Sequence, residues 1–455
     1  MRDFRPRAAH PTAPRHLPRR VLGPSLTLLI AITALASAPA THAAVNRASM
    51  ILETSYVIKA NLSFAAGTIS ASETIVIRNI SDSAIDKVNL SVLPRAFGEL
   101  TSIGRYKVDG ATVTARWTNN ANLELALGRT LARGATARIG LAFAVRASSL
   151  IGTSLEGRLS KANGIMQVSH WFPIISSGHA ARYPGDSQYT RTARTIRLEL
   201  TTDSASVRIA APGRRIAFSE RYHVYEMVNT RDFAFGASRE YQAVSGSAGG
   251  VTVAAYYTNG DGPAALASAM AALVKFEAVY GQYQWPRFVI AQTGRAGSGN
   301  EYPGIIFVGG PLMANREVVA HEVAHQWWYA MAGNDQLREP WLDEGLAEFS
   351  AGYFFGRLST TYSSTRPLNL TIYEFPNLPA PSTSSDPSGY NQTIYVKAAW
   401  FLNSLRLRMG NGHFFEALRE VFAANRNGVL TTRELYDAFA RHGASTAYMR
   451  QFLRL

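Results

Sequence analysis

Two histidines four positions apart, His321 and His325, enclose Glu322, and after eighteen further residues Glu344 lies in the run Trp341-Leu342-Asp343-Glu344-Gly345. On an α-helix that spacing places both imidazoles on one face, one turn apart, so that both can reach a single metal ion. Imidazole nitrogens and a carboxylate oxygen suit Zn2+, and three protein ligands leave a fourth tetrahedral position open to water or a substrate carbonyl. Glu322, one step past the first ligand, can lean over that open position as a general base. With 10 His and 20 Glu in 455 residues, chance would supply a His-Glu-x-x-His match about 0.01 times, and about 0.0004 times with Glu also at position 344. The pattern therefore points to one catalytic zinc per chain, held by His321, His325 and Glu344, rather than to a solvated helix face.

The elements that must position these groups follow from changes in hydropathy period. From about Ile51 to Tyr257 short segments alternate apolar and polar residues, as in Thr74-Ile75-Val76-Ile77-Arg78 and Ile196-Arg197-Leu198-Glu199-Leu200. Period-two patterning broken by Gly, Asn, Asp and Pro predicts an antiparallel β-sandwich or saddle-shaped sheet. After Tyr257 the period changes: Pro263 opens a helix running to Tyr280, apolar strands follow at Phe288–Ala291 and Ile305–Val308, and then come the metal helices. Later helices are expected over Tyr395–Met409, over His413–Ala424 and from the capping box at Thr431–Glu434. Strands first and helices later make an α+β chain with segregated domains. The polar, proline-rich stretch from Ser359 to Gly389 reads as a long loop and a candidate active-site rim.

Composition bounds the setting. A chain of 455 residues with 47% hydrophobic content suits two or three domains with real cores. Residues 1–44 stand apart: six arginines against one aspartate precede an apolar stretch from Val21 to Ala36 and the small-residue sites Ala38-Pro39-Ala40 and Thr41-His42-Ala43. This is the composition of a secretory signal, and the apolar run falls short of the ~20 residues that span a bilayer. Export to the periplasm or secretion is expected. Removing the leader subtracts 6 − 1 = 5 charges from the formal +14, leaving +9. The whole chain holds 40 Arg and 6 Lys, and outside the leader they are dispersed along strands and loops rather than gathered into runs. That charge implies attraction to anionic membrane surfaces at most, and no nucleic-acid partner. Cysteine is absent, so neither a disulfide framework nor a lipid-attachment cysteine is available.

His321 to Ala347 as a whole, with Gln326-Trp327 after the second histidine and Trp341-Leu342-Asp343-Glu344-Gly345-Leu346-Ala347, resembles the zinc aminopeptidases of the membrane alanyl aminopeptidase and leukotriene-hydrolase family, which are gluzincins. Gly299-Asn300-Glu301-Tyr302-Pro303-Gly304 looks like the family's Gly-x-Met-Glu-Asn exopeptidase motif, in the Gly-Met-Glu-Tyr-Pro version of some bacterial members. Tyr395-Val396-Lys397-Ala398-Ala399 is similar to its Tyr-x-Lys-Gly-Ala segment. The resemblance implies a β-rich N-terminal domain, residues 45–257, followed by a thermolysin-like, mainly helical catalytic domain, residues 258–455. It also implies a peptide substrate with a free N-terminus. Glu301 would bind the substrate ammonium with Gly299, Asn300 and Tyr302 lining its place, Tyr395 would stabilise the oxyanion, and Glu322 would be the base. Gln167 and His170 sit about where relatives project a polar residue toward that ammonium. Asn300 stands for the usual Met, Tyr302 for the usual Asn and Ala398 for Gly. About 60 residues follow Tyr395, so the large C-terminal helical domain of many relatives is expected to be missing and the cleft open to longer peptides. A gluzincin endopeptidase and an inactive peptide- or metal-binding relative remain as alternatives. His179, His223, His413 and His442 lack partner spacing and read as structural, while Trp327, Trp328 and Trp341 read as core around the metal.

Overall fold

The structure is a computed structural model that describes residues 51–149, 158–176, 190–297, 299–375 and 388–455. The leader, His179 and part of the proline-rich stretch lie outside them. The alternating segments form the expected β-rich half. An eight-stranded sheet is built around Leu52–Ser63, Thr68–Asn79, Thr136–Arg146 and Ala193–Thr202, and two four-stranded sheets accompany it. Alternation is strict along Leu52–Ser63, where Leu52, Thr54, Tyr56, Ile58, Ala60 and Leu62 are buried and the residues between them are not. One pair departs from the antiparallel expectation: Leu52–Ser63 runs parallel to Ala193–Thr202. Parallel neighbours need a long crossover, and more than a hundred residues separate these two strands.

The second half is organised on a mixed five-stranded sheet. Its strands are β1 (Gln242–Ala248), β2 (Val251–Tyr257), β3 (Arg287–Thr293), β4 (Gly299–Tyr302) and β5 (Ile305–Gly309), in the order β1-β2-β3-β5-β4. β1 and β2, although they precede the break in periodicity at Tyr257, hydrogen-bond into this sheet and not into the β-rich half. The helices are α1 (Gly262–Tyr280), α2 (Arg316–Ala324), α3 (Trp341–Phe355), α4 (Ala398–Met409), α5 (Asn411–Asn425) and α6 (Thr432–Arg441). Their starts follow local chemistry. Asp261 caps α1 by accepting from the Ala264 amide, Asn315 caps α2 through Glu317 and Val318, and Thr431 with Glu434 forms the predicted capping box of α6. α1 is apolar and long enough to span a bilayer, but Ala265, Ala269, Ala272, Leu273, Phe276 and Tyr280 are buried in the protein core.

Aromatic rings fill the space behind the metal helices. Trp327 meets Phe276 edge-on at 5.7 Å, Trp328 meets Tyr280 at 5.1 Å, and Trp341 meets Phe401 at 6.2 Å. Trp327 Nε1 donates to the Gly281 carbonyl and Trp341 Nε1 to Thr432 Oγ1, so the polar edges of these two rings are satisfied within the core. The two halves are joined by a buried guanidinium. Arg231 donates to the carbonyls of Thr190, Ala330, Met331 and Gly428, linking the β-rich half, the turn after α2 and the segment before α6.

One buried group works against stability. Glu73 points from the eight-stranded sheet into the core, 2% exposed, and neither carboxylate oxygen has a hydrogen-bond partner among the described residues. Burial pushes its carboxyl well above the ordinary value. The folded state therefore holds a proton that the unfolded state releases, and stability falls as pH rises from the unfolded toward the folded value, by about 1.4 kcal/mol per pH unit. Glu73→Met is expected to raise stability at neutral pH. In denaturant titrations its advantage over the native chain should widen from pH 4.5 to pH 7; a constant difference contradicts this account.

Candidate metal centre and active site

α2 and α3 cross so that three donor atoms converge. His321 Nε2 lies 3.2 Å from Glu344 Oε2, His325 Nε2 lies 3.3 Å from the same oxygen, and the two Nε2 atoms are 3.1 Å apart. His321 sits in the last turn of α2; His325 is its C-cap residue, still in right-handed helical conformation, which preserves the i, i+4 alignment. Glu344 lies in the first turn of α3. Tetrahedral zinc with bonds of ~2.0 Å has ligand–ligand edges of about 3.3 Å. The triangle matches that edge, and its chemistry, two imidazole nitrogens and one carboxylate oxygen, is a zinc donor set.

The outer nitrogen of each ring fixes its tautomer. His325 Nδ1 lies 3.2 Å from the carbonyl oxygen of Trp328, and His321 Nδ1 lies 3.1 Å from Glu348 Oε2. Both outer nitrogens can donate, which turns an Nε2 lone pair inward in each ring. Glu348 was not anticipated from sequence. The signal was there: it follows Glu344 by four residues and so shares its face of α3.

The electrostatics call for a cation. Burial alone would keep both imidazoles neutral, but Glu344 and Glu348 raise His321 well above its ordinary value, and Glu344 raises His325 to about 9. Glu344 is itself held well below the usual carboxylate range by the two histidines, against the effect of burial. Burial pushes Glu322 up to about 8 and Asp343 up to about 7. Five carboxylates, Glu301, Glu322, Asp343, Glu344 and Glu348, thus surround two imidazoles.

β4 brings the Gly299-Asn300-Glu301-Tyr302 segment to this centre. Gln326, fully buried, grips it from the turn after α2: Nε2 donates to the Tyr302 carbonyl at 3.0 Å and Oε1 accepts from the Gly304 amide at 2.8 Å. Alternation along β4 then splits the motif between two faces. Gly299 packs on the Glu322 carboxylate so closely that a Cβ would lie 2.1 Å from Oε1. Glu301, Glu322 and His325 offer donor atoms within 4.8 Å of one another. Asn300 and Tyr302 are directed away. Asn300 Oδ1 accepts from Gln167 Nε2 at 3.3 Å, while Tyr302 is fully buried, with its hydroxyl accepting from Arg158 at 3.0 Å and its ring 5.3 Å from His170. The expectation that Tyr302 lines the ammonium site is therefore corrected: its ring is core. His170 is likewise buried, its Nδ1 2.8 Å from Asp232 Oδ2, and sits behind Tyr302.

Tyr395 reaches the site from α4's side. Asn391–Lys397 winds as a π-helix before α4 begins, an irregularity frequent at functional sites. The Tyr395 ring stacks on His321 at 5.9 Å and 15°. Burial and then the Glu344 charge hold its phenol well above the ordinary value, so it remains a proton-bearing donor. Lys397 does not face the centre; its ammonium donates to the Arg366 carbonyl at 2.6 Å. With Ser364–Thr393 and Ser363–Gln392 hydrogen bonds, it stitches the described part of the rim loop to the segment that carries Tyr395.

The chain is similar to known proteins in sequence over part of its length and in fold over most of it. Residues 312–454 match the family model described as the peptidase family M1 domain. The fold is similar to that of an M1 zinc metallopeptidase from Deinococcus radiodurans, with TM-score 0.66 and 17% identity over 88% of this chain and 92% of that one. A mutant form of the Deinococcus radiodurans enzyme bound to a Tyr-Ser-Ala substrate, and a mutant two-domain M1 zinc metallopeptidase bound to L-arginine, are similar too; each has TM-score 0.66 and 17% identity over 88% of this chain and 93% of the other.

Removing a hydrogen-bonded carboxylate behind a metal-bound histidine typically weakens metal affinity 10- to 100-fold. Glu348→Gln is expected to bind zinc about 10-fold or more weakly than the native chain in competition with a chromogenic chelator. Equal affinity would remove Glu348 from this role.

Proposed function

We propose that this chain, whose residues 312–454 form a peptidase family M1 domain on the fold of two-domain M1 zinc metallopeptidases, is an aminopeptidase that releases the N-terminal residue of peptides. The observation that carries the reading is the placement of Glu301 beside Glu322 and His325 at one edge of the donor triangle. A carboxylate there would pair with the free α-ammonium of a substrate whose first peptide bond lies at the centre.

His321, His325 and Glu344 would hold the zinc, which when bound polarises the scissile carbonyl and acidifies water. Glu322 takes the proton of the attacking water. It then hands that proton to the departing amine. Tyr395 donates its phenolic hydrogen bond to the carbonyl oxygen as negative charge develops there. Gly299 leaves room for Glu322 to stand over the centre. The arginine-rich apolar leader supports export to the periplasm or secretion, where peptides are the available substrates.

Two substitutions separate the roles. Glu322→Gln should keep its zinc, by elemental analysis, while kcat falls roughly 10²- to 10⁴-fold, the range for a positioned base. Glu301→Gln should lower kcat/KM on a free-amine peptide by about 100-fold, equivalent to ~2.7 kcal/mol, and leave any residual cleavage of an N-acetylated peptide unchanged. An undiminished rate in the first variant sinks the mechanism. Equal losses on both peptides in the second remove Glu301 from the ammonium.

A further inference from the structure

Outside the active site, a second cluster of metal-ligating side chains forms on the surface where α5 meets α6. His413 and Glu416 lie in the first two turns of α5, and His442 is the C-cap residue of α6. Neither their sequence separation nor any motif links these histidines; the hairpin brings them together, with Phe414 stacked on Phe439 at 5.3 Å beneath. One donor atom from each of His413, Glu416 and His442 lies within 4.8 Å of the other two.

Two features distinguish this cluster from an ordinary surface ion pair. First, Glu416 Oε2 lies 3.8 Å from both His413 Nδ1 and His442 Nδ1. That is too long for hydrogen bonds, yet only about 0.5 Å beyond the ~3.3 Å edge of tetrahedral zinc. Second, the far side of His442 is already engaged: Nε2 lies 2.7 Å from Glu420 Oε2, and Glu420 is in turn held by the Arg441 guanidinium. The pairing places the ring proton on Nε2 and leaves the Nδ1 lone pair facing Glu416. It is the same device that Glu348 provides for His321 in the active site.

We propose that His413, Glu416 and His442 form a second cation site, selective for a borderline divalent metal such as Zn2+, Ni2+ or Cu2+. Water completes the coordination, and Glu420 serves as the orienting carboxylate. Two imidazoles and a single carboxylate do not suit Ca2+ or Mg2+, which require oxygen ligands. His413 and Glu416 are exposed and close on the ion, while His442 is already oriented by Glu420. The site therefore fills at higher free zinc than the buried centre and fastens the first turn of α5 to the end of α6.

The test is zinc stoichiometry on the full, untagged chain across a series of buffered free-zinc concentrations. Elemental analysis should give two zinc ions per chain at saturation for the native protein and one for the His413→Ala/His442→Ala variant. His325→Ala, which damages the buried centre, should still bind the outer ion. Glu420→Gln should weaken the outer ion about 10-fold. Saturating the outer site should raise Tm by a few degrees in the native chain and not in the double variant. Identical stoichiometry in native and double-variant proteins, or displacement of the outer zinc by millimolar Ca2+, would overturn the proposal.

Discussion

The arrangement turns on one oxygen. Glu344 Oε2 stands 3.2 and 3.3 Å from two imidazole nitrogens that are themselves 3.1 Å apart. Three electron-rich donors do not gather in a buried site unless the surrounding structure holds them there or a cation neutralises them. Here the fold holds them. α2 and α3 are packed against aromatic rings that admit little displacement, and the outer nitrogens of both histidines are tied to Glu348 and the Trp328 carbonyl. The carboxylates around them leave an excess of negative charge that a divalent ion would offset.

The rest of the site is registered to that oxygen through a few contacts between distant parts of the chain. Gln326 is the hinge of this registration. Its side-chain amide holds both a carbonyl and an amide of the β4–β5 turn, so the strand carrying Glu301 is positioned by the helix carrying the histidines. At Gly304, φ +74° together with a Pro212 Cβ only 2.7 Å from where a side chain would begin restricts that turn to glycine. On the other side, the π-helical turn rotates Tyr395 over His321, and Lys397 binds the rim loop to the same turn. Arg231 joins the halves from beneath, using carbonyls from three separate segments.

How much of this was legible in the sequence depended on the range of each interaction. His321, Glu322 and His325 share one helix, so spacing alone was enough, and Glu344 and Tyr395 were identifiable because their surrounding residues are distinctive. The strands of the β-rich half and the capped starts of α1 and α6 were equally readable, since alternation and capping are local. Other features depend on tertiary register. The parallel pairing of Leu52–Ser63 with Ala193–Thr202 is set by a crossover with no local signature. Tyr302 looked like part of the substrate-facing motif, but a one-residue step along a strand reverses the face, and only the pairing of β4 with β5 decides which. Glu348 shares a face of α3 with Glu344, and its role is defined only by the packing of that face on His321. The histidines at 413 and 442 showed nothing until α5 and α6 were folded together.

Aminopeptidase action requires the donor triangle and Glu301 to act on the same substrate. The most direct measurement is hydrolysis of one fluorogenic peptide, prepared with a free and with an acetylated N-terminus, by the mature protein before chelation, after chelation and after zinc is returned. Cleavage of the free-amine peptide that is lost with chelator and restored by zinc, with the acetylated peptide resistant, is the predicted result. Equal cleavage of both peptides would place the chain among endopeptidases and contradict the assignment of Glu301, and turnover indifferent to chelation would contradict the metal centre itself.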